Sequence, residues 1–501
     1  MRTDSLAGTR SPRRTRMLRA IPMALPVFLL VALLNLIGFL EGPGFKLNDF
    51  YNRSSTQAGV SERVVVVGFS ESDFKFARQF PISDDLLAQV LERITAAKPA
   101  AMFLNVLRDI PNEPGHARLL AAYRDAPMLY AFDSAGPGAP AEAPAPPGLR
   151  EAGRFGFLKS VTDSDGVTRT QLLGYFEEGR LHESGLLMAI RAYLRAQPGQ
   201  PEISIDQEGT LHAASRNLPR WRSRDDDPAL SLANYRLPFR FAEGVQMVSF
   251  EQLLTGAVSE QDLRGKLVLI GASALTVQRA QNTPLRGMAD RGLPAVAVNA
   301  QNAANLLAFA LDGAPGMRAL PTVANALLVL AVAWFACWRL LSYRSVWGGL
   351  LRGAIVLCAT ALIGWLAFRL GLALPVVPAL AALLGAVLVV FQNLVVADGN
   401  QRRFIHFMNE VFDRLPDPIY AIDGEGRFKL VNQAFSRLAV AQPAQLLGAP
   451  ASQVFQTAAA GGERVLIDSS GDRYGLKLQE STLADERGRP LKLCMVQALT
   501  P

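Results

Sequence analysis

The sequence predicts a multidomain membrane protein: an external α/β domain with a mostly parallel sheet, four transmembrane helices and a cytoplasmic α+β domain. Three observations carry this. Four apolar stretches approach the ~20 residues needed to span a bilayer. Arginines gather at alternate ends of those stretches. The long segment between the first two alternates strand-like and helix-like patterns. Composition agrees: 50% of the 501 residues are hydrophobic and 19% are charged, against about 25% charged in an average soluble domain. That excludes a disordered or nucleic-acid-tail protein. The net charge of +7 does not imply a polyanion partner. Arg2, Arg10, Arg13, Arg14, Arg16 and Arg19 precede an apolar run, so they read as a topology signal, and no nucleic acid is expected.

Residues 1–19 form a basic cytoplasmic tail and 20–40 an uncharged first span. The run is long for a cleaved signal peptide, and Leu40-Glu41-Gly42-Pro43 lacks a small-x-small cleavage site, so an uncleaved anchor is preferred. The other spans are 319–338, 350–369 and 371–397. The third has an uncharged part bounded by Arg352 and Arg369, whose stems can snorkel; the fourth contains Pro375 and Pro378. Arg339, Arg344 and Arg352 flank the loop after the second span, and Arg402 and Arg403 follow the fourth. An even count of four puts every arginine cluster and both termini inside, with 41–318 outside. That segment has no cysteine: Cys337 and Cys358 lie in spans and Cys494 near the C-terminus. It is long enough to bury a core without disulfides.

Within 41–318, RVVVVGF (63–69) is a β-branched run suited to a strand covered on both faces. Ser83 is a good N-cap for a helix in which Leu86, Leu87, Val90, Leu91 and Ile94 recur at helical spacing. Lys98-Pro99 stops it. Further strands are expected at 100–106, 127–132 and 266–272, with helices at 116–124 and 295–310. This repetition implies right-handed crossovers and a parallel sheet. Residues 134–148 read as a mobile Ala/Pro/Gly loop and 222–228 as a solvated charge run. Asp163-Ser164-Asp165-Gly166 fails the spacing of a calcium loop and reads as a hairpin turn.

Several of these segments, taken in order, resemble the second type of CHASE domain, an extracytoplasmic sensor of bacterial histidine kinases, diguanylate cyclases and adenylate cyclases. The matching residues are RVVVVGFSESDF (63–74), AAMFLNVLRDIPNEPGH (100–116), GFLKSVTDSDGVTRT (156–170), LANYR (232–236), LRGKLVLIGASA (263–274) and Thr283-Pro284. The resemblance covers 41–318 and the spans, and implies a transmembrane signalling receptor in the bacterial inner membrane. This chain departs from it at polar positions. The family usually has acids where Ser70 and Asn105 stand, Asp at Arg279, and Glu and His at Ala297 and Asn299. These positions fall at the carboxyl ends of strands or on the adjoining helix, where open α/β sheets bind ligands. Either the ligand differs or the site is vestigial. Glu71, Asn105, Arg108, Asp109 and Thr283 are the candidate ligand-binding residues; Glu71, Arg108 and Asp109 read equally as surface ion pairs.

Residues 398–415 read as a linker helix, with Phe404, Met408, Val411 and Leu415 spaced four, three, four. That spacing is a short coiled-coil seam suited to a homodimer, or an amphipathic face packing on its own domain. Beyond it, LPDPI (415–419), Asp423-x-x-Gly426, Val431-Asn432-x-Ala434-Phe435 and GRPLKLCMVQALT (488–500) resemble a PAS domain over 404–499. The pattern is two strands, short helices, then three antiparallel strands. Asn432 is the candidate pocket residue. His406 lies before the core and Cys494 in the final strand, so no cofactor is expected. Gly461-Gly462-Glu463-Arg464 lacks the second acid of a cyclase loop. No catalytic motif is evident, and the chain is read as a non-enzyme that passes an envelope or periplasmic signal through PAS to a separate kinase or cyclase. The alternatives are the regulatory half of a truncated sensor kinase or cyclase, which sequence downstream of Pro501 would distinguish, and a non-sensing membrane scaffold.

Overall fold

Strand-forming and helix-forming segments alternate after the first apolar helix, and their burial sets the architecture. The structure is a computed structural model that describes residues 12–77, 79–222, 231–285, 292–341, 346–439, 441–457, 464–467, 473–484 and 490–498. The charge run 222–228 and the Gly461–Glu463 loop fall almost wholly outside these residues. The chain divides into two units, Met1–Val389 and Val390–Pro501.

In the first unit a six-stranded sheet runs in the order Gly244–Ser249, Val60–Phe69, Leu267–Ala272, Ala101–Asn105, Leu129–Asp133, Phe155–Phe157. Every pairing along it is parallel. Side chains alternate across each strand. Val64, Val66, Phe103, Leu267 and Leu269 pack under the helices Gly185–Arg195 and Ala295–Leu311. Val65, Val67, Met102, Leu104, Val268 and Ile270 pack under Asp84–Ala96 and His116–Asp125. Both faces are covered, which explains the near-continuous apolar strands. Ser83 caps its helix through Leu86 N–H at 3.2 Å. Gly115 sits at φ +104°, and a Cβ there would strike Asp85; only glycine tolerates both conditions. Residues 134–146 are pinned more than a mobile loop suggests. Ser134 Oγ accepts from Ala143 N at 2.7 Å, Ala145 is buried, and a short helix follows at Pro147–Glu151. Asp163–Gly166 forms the turn between the antiparallel strands Ser160–Val161 and Thr170–Glu177.

Among the described residues, three helices are long and apolar enough to cross a membrane: Met17–Leu36 within Pro12–Leu36, Thr322–Leu340, and Leu351–Arg369 within Val346–Arg369. Their bounds differ from the expected spans. The first ends at Leu36, not 40, because Gly38 turns the chain at φ +82°. A helix the sequence concealed then begins at once, Glu41–Ser55. Its Gly42-Pro43-Gly44 reads as a breaker, yet proline is tolerated in a first helical turn. The second starts at Thr322, after Arg318–Ala319 pairs with Leu372–Ala373. That same pairing removes 371–375 from the expected fourth span. The helix there runs Val376–Arg414, and its apolar described part is Val376–Gln392.

In the second unit an antiparallel sheet has the order Phe428–Val431, Ile419–Ile422, Pro490–Ala498, Arg473–Ala484, Arg464–Ile467, Phe455–Thr457. The last of these strands, Phe455–Thr457, is one more than the sequence pattern suggested; three residues are too few to show a period. Helices Gln433–Leu438 and Pro443–Leu446 lie between the first strands and the rest. The core gathers Tyr420, Phe428 and Phe435, with ring centroids 4.8–5.6 Å apart, and buries Cys494.

Candidate functional site: the strand edge and a buried ion cluster

The strands Val60–Phe69 and Ala101–Asn105 lead to helices on one face, whereas Leu267–Ala272, lying between them, leads to Ala295–Leu311 on the other. Connections departing to opposite faces open a crevice at the carboxyl ends, where open α/β sheets take ligands. Glu71 and Asn105 both lie at this edge. Glu71 accepts from Thr276 N at 3.1 Å and from Thr276 Oγ1 at 2.9 Å, closing the loop after the central strand. Asn105 Oδ1 accepts from Asn299 Nδ2 at 2.7 Å. Asn299 is 3% exposed, so two neutral amides meet where the sequence resemblance implies an acid and a histidine. Ala297 is buried beside them and Arg279 is exposed. Ser70 does not face a ligand: its N–H and hydroxyl both donate to Asp73 Oδ2, at 2.6 and 2.7 Å. The fully buried Asp73 also accepts from Phe250 N and Glu251 N, at the start of the next helix, a negative charge at a helix N-terminus.

The other candidates are dispersed. Arg108 turns inward, donating to Ile82 O at 2.8 Å, with Nε 3.5 Å from Asp84 Oδ1. Asp84 is fully buried and its other oxygen is 2.7 Å from His116 Nδ1. This is a buried network at the start of the Asp84–Ala96 helix, and not the surface pair considered from sequence. Asp109 is half-buried. Thr283 is buried away from the strand edge, in the stretch where Thr168 N donates to Asn282 O at 2.9 Å.

That stretch borders a cluster the sequence reading missed. Arg169, with 2% of its side chain exposed, donates to Asp49 from Nε and Nη2, both at 2.7 Å. It also donates to Asp163 at 2.8 Å and to Asp165 at 2.7 and 2.8 Å. Its guanidinium stacks 4.6 Å from the Phe45 ring. Arg236 Nη2 lies 3.5 Å from Asp163. Burial alone would raise the Asp165 carboxyl, but the Arg169 hydrogen bonds outweigh it and hold it below its ordinary range. Burial pushes the Arg236 guanidinium down, against the pull of Asp163. The visible signal was Asp-x-Asp-Gly-x-x-Arg in one segment; Asp49 stands 120 residues earlier.

In the second unit Asn432 is fully buried, and its amide is already spent. Oδ1 accepts from Ile419 N and Phe435 N, both at 2.9 Å, and Nδ2 donates to Asp417 O at 2.8 Å. It caps a helix and ties two strands, so it is not a free pocket group. Phe404, Met408 and Val411 are exposed on the Val376–Arg414 helix, while Leu415 lies just past its end.

Comparison with known families gives a CHASE2 domain match over residues 26–341. The chain belongs to the CHASE2 domain family. A PAS fold is matched at 412–494. CHASE2 and PAS together with membrane-length helices make a membrane-associated sensory receptor of signal transduction. Among solved structures, the PAS domain of an HTR-like protein from Haloarcula marismortui is 15% identical, covering 21% of this chain and 98% of that one at a TM-score of 0.19. The PAS domain of BvgS from Bordetella pertussis is 21% identical, covering 19% and 86% at a TM-score of 0.16. No curated protein matches the chain. The strand edge with Glu71, Asn105 and Asn299, and the Arg169 cluster, both lie within the CHASE2 match; Asn432 lies within the PAS match.

Proposed function

We propose that this chain receives an extracytoplasmic stimulus on its CHASE2 domain, residues 41–318, and passes it through four membrane helices to the cytoplasmic PAS domain. PAS then regulates a separate kinase or cyclase. The observation that carries this reading is the order of parts: a CHASE2 domain bracketed by membrane-length helices, then a PAS fold on the same chain. The fourth crossing is the apolar part of Val376–Arg414, and both termini are cytoplasmic, in keeping with the arginine clusters. The receptor is a multi-pass protein of the bacterial inner membrane and works as a homodimer, without a bound cofactor. Its ligand meets the strand edge at Glu71 and Asn105. The neutral Asn105–Asn299 pair favours an uncharged hydrogen-bonding group there, since a buried charge would lack its counterion.

Reporter fusions active in only one compartment test the topology. Fusion at Arg344 should be active in the cytoplasm and fusion after Arg369 outside. Photo-cross-linking from PAS should then capture a kinase or cyclase. The reverse compartments, or capture of neither enzyme class, would overturn the proposal.

A further inference from the structure

The helix Glu41–Ser55, between the first span and the sheet, bonds in opposite directions from its two faces. At 100° per residue, positions 49, 52 and 53 share one face and positions 51 and 54 the other. On the first face Asp49 takes the two bonds from Arg169. Asn52 accepts from Phe239 N at 2.9 Å and donates to Phe239 O at 3.4 Å. Arg53 donates to Pro284 O at 3.1 Å. All three partners belong to the CHASE2 domain. On the second face Tyr51 Oη donates to Ala361 O at 2.8 Å, and Ser54 Oγ accepts from Trp365 Nε1 at 2.8 Å. Both partners belong to the helix Val346–Arg369. The contact is closely fitted. Tyr51 and Phe368 share an apolar cluster with Met317 and Val376. A Cβ on Gly364 would strike Val376 and come within 3.0 Å of Tyr51 Oη.

We infer that the helix Glu41–Ser55 is the transmission element of the receptor: it carries a displacement of the CHASE2 domain sideways onto the third membrane helix. This rests on the receptor reading above and adds a route to it. Apart from this helix, the domain meets the membrane helices through the ends of the first and second spans, to which it is joined in sequence, and through Arg318–Ala319, which pairs with Leu372–Ala373 at the turn of the hairpin. A rigid helix clamped on both faces adds a route into the body of the third span, in the hairpin that leads to PAS. The clamp suits that role because the domain side is fixed by a charge-assisted bidentate pair, the strongest of the available bonds. The span side inserts a hydroxyl against a backbone carbonyl, at a glycine that leaves room for it.

A native probe sits in place. Cys358 is exposed on the third membrane helix, one turn before Ala361, whereas Cys337 and Cys494 are buried. The full chain is labelled at Cys358 with a nitroxide in detergent and returned to phosphatidylcholine–phosphatidylglycerol bilayers. Asp49→Asn loosens the domain face and should shift the Cys358 line shape. In a Tyr51→Phe/Trp365→Phe background, which loosens the span face, the same substitution should add no shift. An unchanged spectrum in Asp49→Asn, or an undiminished shift in the double background, overturns the inference. Should Asp49→Asn fail to give a monodisperse protein, Arg53→Ala loosens the same face through a single hydrogen bond and is read by the same criteria. Failure of the receptor reading would show separately, in the reporter fusions, with the Cys358 coupling intact.

Discussion

Arg169 shows how much one side chain can organise. Three carboxylates and an aromatic ring surround a guanidinium that is almost wholly removed from water. Taking ions out of water is costly, and the arrangement is stable only while every partner is present. Arg169→Met should therefore cost about 3–5 kcal/mol of unfolding free energy in the full chain, the usual penalty for stranding buried charges. The cluster is also pH-dependent. Because Asp165 is held below 3.8, its contribution is complete above that value and is lost as pH falls through the lower value it has in the folded protein. Thermal unfolding followed from pH 6 to pH 3 should fall less steeply in Asp165→Asn than in the parent, and identical slopes would remove Asp165 from this account. The turn made by Asp163 and Asp165 was legible from sequence, since Asp-Gly turns have a local cause. The role of Asp49 was not, because nothing local marks it as the partner of an arginine 120 residues away.

Among the elements, those with a strong period were legible to within a few residues. The apolar strands and the helix capped by Ser83 are examples. The helix Glu41–Ser55 was not, because Gly-Pro-Gly in its first turn looks like an end and its two faces are polar for different reasons. The candidate site was legible only in part. Glu71 and Asn105 both lie at the strand edge, whereas Arg108 and Asn432 are tied into buried hydrogen-bond networks and Thr283 is buried, and burial of a polar residue cannot be seen in its spacing. The stripe Phe404, Met408 and Val411 is 63%, 45% and 39% exposed, so it does not pack on its own unit as an amphipathic helix would. Apolar groups at this spacing suit a second copy of the same helix. In membranes, on a Cys358→Ser background, Met408→Cys should form a disulfide between copies under mild oxidation. His406→Cys, about 200° around the helix, should not. Equal yields at the two positions would count against the dimer.

The molecule as a whole is set by a strand order that no local pattern announces. Leu267–Ala272 lies in the middle of the sheet, between Val60–Phe69 and Ala101–Asn105, although it comes late in the chain. Local propensity says that it is a buried strand and is silent on where it inserts. The placement has a consequence for biogenesis. On the proposed topology, with residues 41–318 outside, the chain is exported from its N-terminal end and the first strands emerge with a gap between them that Leu267–Ala272 fills. On that topology the sheet closes only when almost the whole domain has crossed, just before the second span enters the bilayer. Until then its apolar edges stay open, and pairings between distant segments form slowly. Export intermediates ending at Gly256 should remain protease-sensitive, while chains ending at Leu341 become resistant. Resistance already present at Gly256 would mean that the early strands close on one another without the late one. Completion of the fold and insertion of the second span are thus nearly one event, so the domain matures only when its second tether to the membrane is in place.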